Sequence, residues 1–267
     1  MPESGCAYFV ADAHLGQGPA ASNRAREEDL LAFFDFVRDE RAALYVNGDL
    51  FDFWFEYAHA MPKRFVRVLH GLGALRRAGL PVTYVGGNHD FWIGEYLARE
   101  LDVSFTDRPC PLEIQGRRIL LAHGDGLGPG DHGYKLLKRV LRNRVARALF
   151  RWVHPDLGIP LATLTSHTSR HHAPRPNRTE AELFDLLARP ALARGFDAVV
   201  LGHFHVPLHR KEPDGELLVL GDWIERRSYA RLRDGVFELL EFRGPRTAGA
   251  TGAPGGAGAS GAASTPR

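Results

Sequence analysis

A chain of 267 residues with 44% hydrophobic side chains is long enough for one sizeable domain with a buried core. Its formal net charge of +2 excludes the strongly basic composition of a dedicated nucleic-acid binder, so no nucleic acid is expected as a partner. Two cysteines, Cys6 and Cys110, exclude a disulfide framework and a thiolate zinc site.

The end of the chain differs in composition from the rest. Residues 244–267 are almost all Gly, Ala, Ser, Thr and Pro, which predicts a disordered tail and leaves residues 5–243 as the folded domain. The apolar run at residues 6–11 is too short for a signal peptide, and no stretch approaches the roughly 18 apolar residues of a membrane span. A cytoplasmic location is therefore expected.

Short apolar runs alternate with helical patterns in the first third of the chain. Buried strands are predicted at 7–11, 43–46 and 81–85, and helices at 27–40 and 65–78, where apolar residues recur at helical spacing. This alternation predicts β-α-β units and a largely parallel sheet.

The rest of the chain predicts two more buried strands and then antiparallel β structure. The strands are 119–122 and 198–201, with a long basic helix at 134–153 between them. A capping-box pattern starts another helix at Thr179. From residue 205 to 242, turn signals separate short strands.

Ionisable residues cluster directly after five of the predicted strands. In an open α/β sheet, ligands bind beyond the carboxyl ends of the strands, so we expect these clusters to converge on one site. The clusters are Asp12-Ala13-His14, Gly48-Asp49-Leu50-Phe51-Asp52, Gly87-Asn88-His89-Asp90, His123-Gly124-Asp125 and Gly202-His203-Phe204-His205.

These clusters offer imidazole, carboxylate and amide-oxygen ligands without sulfur, a set that suits manganese, iron or zinc. The candidate metal ligands are Asp12, His14, Asp49, Asn88, His123, His203 and His205. They exceed the needs of one ion, so two ions that share a carboxylate, clamp a phosphoryl group and activate a bridging water fit better. Any one of these residues taken alone reads as a turn or cap residue. Five such clusters favour a metal site, because burying them without a metal would be costly.

The motifs D-x-H, G-D-x-x-D, G-N-H-D/E, H and G-H-x-H occur in this order across residues 12–205 and resemble the calcineurin-like metallophosphoesterase family. The resemblance implies an α/β fold, a four-layer α/β/β/α sandwich with two mixed β-sheets and a helical, lid-like insertion at about 127–178. It also implies two divalent ions, with Mn²⁺ expected and iron or zinc as alternatives.

The same resemblance implies a role for each motif residue. Asp12, His14 and His205 would hold one ion, Asn88, His123 and His203 would hold the other, and Asp49 would bridge them. His89, paired with Asp90, would be catalytic beside the substrate, where it stabilises charge or protonates the leaving oxygen.

Further stretches are similar to the UDP-2,3-diacylglucosamine pyrophosphatases of lipid A biosynthesis. That resemblance implies a nucleotide-linked glycolipid substrate, cleaved at its pyrophosphate to UMP and a lipid sugar 1-phosphate by a metal-bound hydroxide, with Asp131 contacting the substrate. Members of that group carry Arg where this chain has His89. This difference bears on the identity of the substrate and not on the hydrolytic reaction. Arg170 stands in a His/Arg-rich loop that could meet the diphosphate. The similar stretches are residues 48–54, 87–91, 123–127, 131–134 and 221–223.

The basic segment 134–153 has seven Lys or Arg residues and no acid, interleaved with large apolar side chains. A basic amphipathic helix is typical of membrane-surface binding, so peripheral contact with the anionic inner face of a membrane is expected. The segment could equally cover an acyl-chain pocket, bind phosphates or be a solvated helix.

Three other functions stay open at this point. The first is a soluble phosphoesterase acting on another phosphodiester, nucleotide or phosphomonoester. The second is a catalytically inactive scaffold, which predicts lost ligands, and none is lost here. The third is a nuclease, which would need a basic groove with exposed aromatic side chains.

Overall fold

The computed structural model describes residues 5–127, 132–161 and 179–244. Asp131, Arg170 and residues 245–267 of the predicted tail lie outside this part of the chain.

The strands of the described residues form two mixed sheets. The first has the order β11-β10-β1-β2-β3-β4, in which β1 to β4 run parallel and β10 pairs antiparallel with β1. The second has the order β5-β6-β7-β9-β8, in which β6, β7 and β9 run parallel. In chain order the strands are β1 (Ala7–Val10), β2 (Ala43–Asn47), β3 (Val82–Val85), β4 (Ser104–Thr106), β5 (Cys110–Ile114), β6 (Arg117–Ala122), β7 (Ala198–Leu201), β8 (Leu208–Glu212), β9 (Gly215–Val219), β10 (Ser228–Arg233) and β11 (Val236–Glu241).

Helices alternate with strands β1, β2 and β3, as the sequence predicts. A short 3₁₀ turn (Lys63–Phe65) leads into α2, and a π-helical turn (Phe184–Ala188) joins α7 to α8. The helices are α1 (Ala20–Asp39), α2 (Val66–Arg77), α3 (Tyr96–Leu101), α4 (His132–Leu141), α5 (Arg144–Phe150), α6 (155–161), α7 (Glu180–Leu183) and α8 (Arg189–Leu192).

Strand alternation builds the layers, because successive side chains of a strand point to opposite faces of its sheet. On β1, Tyr8 joins the apolar cluster that includes α1 and α2, whereas Phe9 joins the cluster between the two sheets. On β7, Val200 faces the first sheet, and Val199 packs with Phe184 of the π-helical turn. The expectation of a four-layer α/β/β/α sandwich with two mixed sheets is confirmed.

Two predicted helices differ from the observed ones. The single helix expected at 134–153 is wrong: α4 and α5 are separate, because Asn143 adopts an extended conformation (ψ 137°) and its side chain accepts a hydrogen bond from Val145 N. That geometry is an N-cap, which starts a new helix. The helix expected at 27–40 begins earlier, at Ala20, after Pro19. Its first turns are polar and so carry no apolar pattern.

A buried side chain connects the two sheets near the carboxyl ends of their parallel strands. The fully buried Asn47, the last residue of β2, donates from Nδ2 to Ala122 O at 2.9 Å and to Val200 O at 3.2 Å. This residue therefore ties the first sheet to the end of β6 and to β7. Within the described part of the chain, no helix is both long and apolar enough to cross a bilayer.

Candidate metal centre

The loops after β1, β2 and β7 place five candidate ligands in left-handed backbone conformations. Their φ angles are 55° for Asp12, 42° for His14, 53° for Asp49, 69° for His203 and 56° for His205. These are half of the ten non-glycine residues with positive φ in the described chain. Such conformations are costly and cluster at functional sites.

Asp12, His14 and His205 form the first group of candidate ligands. His14 Nε2 lies 3.7 Å from Asp12 Oδ1 and 3.2 Å from His205 Nε2, and His205 Nε2 lies 3.4 Å from Asp12 Oδ1. One ligand atom from each residue falls within 4.8 Å of the others. The structure therefore brings together the three residues expected at one ion.

Asp49, Asn88, His123 and His203 form the second group. His123 Nε2 lies 3.2 Å from Asn88 Oδ1 and 3.2 Å from Asp49 Oδ2, and ligand atoms of Asp49, His123 and His203 fall within 4.8 Å of one another. His123 Nδ1 lies 2.8 Å from the carbonyl oxygen of Asn47, which can only accept a hydrogen bond. Nδ1 therefore carries the proton, and the Nε2 lone pair faces the centre.

Asp49 stands between the two groups. Its Oδ2 lies 3.7 Å from His14 Nε2 in the first group and 3.2 Å from His123 Nε2 in the second. Its Oδ1 accepts a hydrogen bond of 2.8 Å from the backbone amide of His89. This is the position expected of a bridging carboxylate.

The buried carboxylates and imidazoles of the two groups favour one another's charged forms. Burial alone would raise the pKa of Asp12, but the imidazoles of His14 and His205, 3.4–3.7 Å from its Oδ1, outweigh it and hold that pKa well below its usual range. Burial disfavours the charged form of His14, yet the nearby carboxylates of Asp12 and Asp52 raise the pKa of His14 to about 9. Burial opposes the charge of His123 too, but Asp49 raises the pKa of His123 well above its usual value. The centre favours positive charge at these nitrogens, from a proton or from a metal ion.

Glycines allow the loops to approach this closely. A Cβ on Gly87 would collide with the carboxylate of Asp49, and one on Gly202 would lie 2.7 Å from Asp12 Oδ2. A Cβ on Gly48 would collide with the His123 ring. Any side chain at these three positions would displace a candidate ligand.

His89 lies beside the two groups, but its described contacts differ from the expected pair with Asp90. His89 Nδ1 lies 3.0 Å from Asp52 O, a carbonyl that can only accept, so Nε2 points towards Asp49 Oδ2 at 3.9 Å. The Asp90 carboxylate accepts hydrogen bonds from the amides of Gly87 and Leu50 and from a tyrosine hydroxyl. Burial, and then the charge of Asp49, raise the pKa of Asp90 to about 6. Asp90 thus holds the loops of Asp49 and Asn88 through its hydrogen bonds with the amides of Leu50 and Gly87.

Two residues near the centre have functions that the sequence analysis did not assign. Asp52 Oδ1 lies 3.7 Å from His14 Nδ1 and 3.8 Å from His89 Nδ1, so one carboxylate places its negative charge beside both rings. The G-D-x-x-D motif could have indicated it. Lys138 of α4 forms an ion pair of 2.6 Å with the buried Asp125, which follows His123 by two residues. Only the tertiary structure reveals this pair, since no pattern in the sequence links Lys138 to Asp125.

Two further contacts fix the segment of α4 and α5 to the rest of the described chain. Trp92 Nε1 donates to Leu141 O at 2.8 Å. The Phe150 ring of α5 packs on Phe53, Phe55 and Trp92, with ring centroids 4.7–6.1 Å apart. These four rings therefore form an aromatic wall that joins α5 to the segments following Asp52 and His89.

This fold, with nitrogen and oxygen ligands at the carboxyl ends of its strands, is that of a metal-dependent phosphoesterase. The calcineurin-like phosphoesterase family matches residues 7–207, and the chain belongs to that family. It is a metal-dependent hydrolase of phosphoric esters or pyrophosphates.

Several relatives are similar over nearly their whole length. A UDP-2,3-diacylglucosamine hydrolase of Porphyromonas gingivalis is 33% identical over 88% of this chain and 96% of that protein. One of Aeromonas hydrophila is 31% identical over 85% of this chain and 94% of that protein. Among solved structures, an archaeal phosphodiesterase is 13% identical with a TM-score of 0.46, covering 88% of this chain and 99% of that one.

Proposed function

We propose that this protein hydrolyses the pyrophosphate of UDP-2,3-diacylglucosamine to UMP and a lipid sugar 1-phosphate. The observation that carries the proposal is the similarity to hydrolases of that name across 96% of the P. gingivalis protein, insertion included. The reaction adds one water across the P–O–P bond, so one phosphate takes the hydroxyl and the other leaves with the bridging oxygen.

The residues at the centre fit a pair of divalent ions. Asp12 Oδ1 is fully buried and has no hydrogen-bond partner among the described residues, although it faces His14 and His205. A buried carboxylate oxygen in that situation is costly unless a cation completes its surroundings. The donor set of imidazole, carboxylate and amide oxygen suits Mn²⁺, our preferred ion, and also iron or zinc.

We assign the ligands by the two groups described above. Bound ions would neutralise phosphate charge and make a water nucleophilic near neutral pH. The first ion would be held by Asp12, His14 and His205, the second by Asn88, His123 and His203, with Asp49 shared between them.

The protein's own groups would orient the reaction. The proton on His89 Nδ1 is fixed by Asp52 O, so Nε2 is the atom available to a substrate oxygen. Protonated at Nε2, His89 would donate to the leaving phosphate oxygen as it gains charge. Asp90 would act only indirectly, by holding the loops of Asp49 and Asn88. Asp131 and Arg170 are kept as candidate substrate contacts on sequence grounds alone.

The apolar wall beside the centre favours a lipid substrate over a small nucleotide. Phe53 directly follows Asp52, Trp92 follows His89 by three residues, and the two rings contact each other with centroids 6.1 Å apart. Phe150 extends this wall into α5. A pyrophosphate with attached acyl chains could place its charged part on the metals and its chains along these rings.

The same insertion would contact a membrane from the cytoplasmic side. Seven of the eleven exposed large apolar side chains in the described chain lie between residues 132 and 161, and Trp152 is 90% exposed. Three arginines, at 144, 147 and 151, accompany them on or next to α5. Apolar side chains beside Arg residues suit an anionic lipid surface, where a substrate with acyl chains resides.

The test of the function is UMP release from UDP-2,3-diacylglucosamine in mixed micelles by the manganese-loaded protein. UDP-N-acetylglucosamine and an aryl phosphodiester serve as comparison substrates. Asp49→Ala should abolish turnover, whereas Asp35→Ala, an exposed change on α1, should not. Turnover of the aryl diester alone would refute the glycolipid assignment, and full activity of Asp49→Ala would refute the bridging carboxylate.

The membrane contact is tested by co-sedimentation with vesicles of phosphatidylglycerol and phosphatidylcholine at low salt. Trp152→Ala should weaken binding about 10–150-fold, since burial of a large apolar side chain contributes about 1.5–3 kcal/mol. Val236→Ala removes an apolar side chain on β11 that is 53% exposed, and this variant should bind like the unmodified protein. Equal binding of all three proteins, or none, would contradict the assignment of this surface.

A further inference from the structure

Arg26 of α1 is a buried arginine directed at the loop that carries Asp12 and His14. Its side chain donates from one terminal nitrogen to Ala13 O and His14 O, both at 2.8 Å, and from the other to Gln17 O at 3.3 Å. The residue is 4% exposed. One guanidinium thus donates hydrogen bonds to three backbone carbonyls of a single loop.

This arrangement is unusual for a buried cation. A buried arginine commonly pairs with a carboxylate, because an unpaired buried charge is costly. The three described hydrogen bonds of Arg26 go to neutral carbonyls. Burial lowers its pKa, and the charges of Asp52 and Asp222 oppose that shift. The planar fork of arginine suits several oxygen acceptors held at fixed positions.

The loop that it holds is strained. Asp12 and His14 have φ angles of 55° and 42°, in the left-handed region that non-glycine residues rarely adopt. Neighbouring carbonyls at 13 and 14 therefore point towards the same donor. One helical turn before Arg26, Asn23 Oδ1 accepts a hydrogen bond of 2.7 Å from Gly16 N. Two residues of α1 thus secure the same loop from one side.

We propose that Arg26 is a positioning residue for the first metal ion: its guanidinium holds residues 13–17 in the conformation that points Asp12 and His14 towards His205. The inference rests on the proposed metal-binding function of those residues. The described hydrogen bonds of Arg26 include none to the loops of His123 and His203. Its loss should therefore weaken one ion and leave the other in place.

The experiment measures metal binding, so it is independent of the substrate. Manganese is titrated into the metal-free full-length protein, and stoichiometry and affinity are read by equilibrium dialysis and by electron paramagnetic resonance, in which paired and single Mn²⁺ ions give different spectra. The variants are Arg26→Met, which removes the donors, and Arg26→Lys, which keeps the charge without the fork. Val37→Ala is the control, since Val37 is fully buried near the opposite end of α1.

We expect Arg26→Met to bind one ion about 10–100-fold more weakly, with loss of the paired spectrum, in line with other residues that support metal ligands. Arg26→Lys should be intermediate, and Val37→Ala should retain both ions despite its lower stability. Two ions bound with unchanged affinity in Arg26→Met would overturn the inference. If that variant does not fold, unchanged affinities in Arg26→Lys would overturn it.

Loss of an ion in Val37→Ala as well would also overturn it, because general destabilisation would then account for the effect. Failure of the unmodified protein to bind two ions would instead refute the metal assignment itself, and with it the proposed function.

Discussion

Replacing Asn47 with alanine should destabilise the fold where the two sheets join. Asn47 is fully buried at the end of β2, and its Nδ2 bonds to Ala122 O and Val200 O of the other sheet. Alanine would leave both carbonyls buried without these donors. The backbone carbonyl of residue 47, which accepts the proton of His123 Nδ1, is retained in the variant.

The expected loss of stability follows from the two lost hydrogen bonds. A buried hydrogen bond contributes about 0.5–1.5 kcal/mol and an acceptor left without any donor costs about 1–3 kcal/mol, so the loss of two costs about 1–6 kcal/mol. Alanine also removes Asn47 Oδ1, which is buried without a hydrogen-bond partner among the described residues. We therefore expect the lower part of that range, about 2–4 kcal/mol, and a fall in Tm of roughly 10 °C for a domain of this size.

Urea and thermal unfolding, followed by circular dichroism, would measure this change. The matched control is Asn143→Ala, which removes the N-cap of α5 and should cost only about 1 kcal/mol. If Asn47→Ala loses less than about 1 kcal/mol, or no more than the control, the connection between the sheets contributes less stability than two buried hydrogen bonds require, and the reasoning is refuted.

Two other variants test contacts outside the ligand set. For Glu216, burial alone would raise the pKa, but hydrogen bonds with His209 and Arg117 outweigh it and lower that pKa below 4.5. Its contribution is thus present above pH 4.5 and lost as the pH falls further. Glu216→Gln should unfold more readily at pH 7, and a deficit that does not shrink at acid pH would exclude this origin. Lys138→Met removes the ion pair with Asp125, so amide exchange in α4 should accelerate roughly tenfold. Unchanged exchange would show that other contacts hold α4.

The sequence predicted the layered fold well because its signals are local. Strands at 43–46 and 198–201 are continuous apolar runs buried on both faces, and the observed β2 and β7 lie within a residue of those bounds. The Thr179 capping box is present with both of its hydrogen bonds. The helix at 134–153 failed because composition alone does not show that Asn143 is extended and caps a second helix.

The candidate ligands could be proposed from sequence because parallel strands bring their carboxyl ends to one edge of a sheet. Five short motifs therefore sufficed to select seven residues, and the tertiary structure brings together all of them. The contacts that support those residues could not be proposed in this way. Arg26 reaches back from a helix, Asn47 reaches across to a second sheet, and Lys138 reaches from the insertion to Asp125. Each of these contacts joins residues on different elements of the fold. Tertiary packing therefore determines it, and no local sequence pattern predicts it.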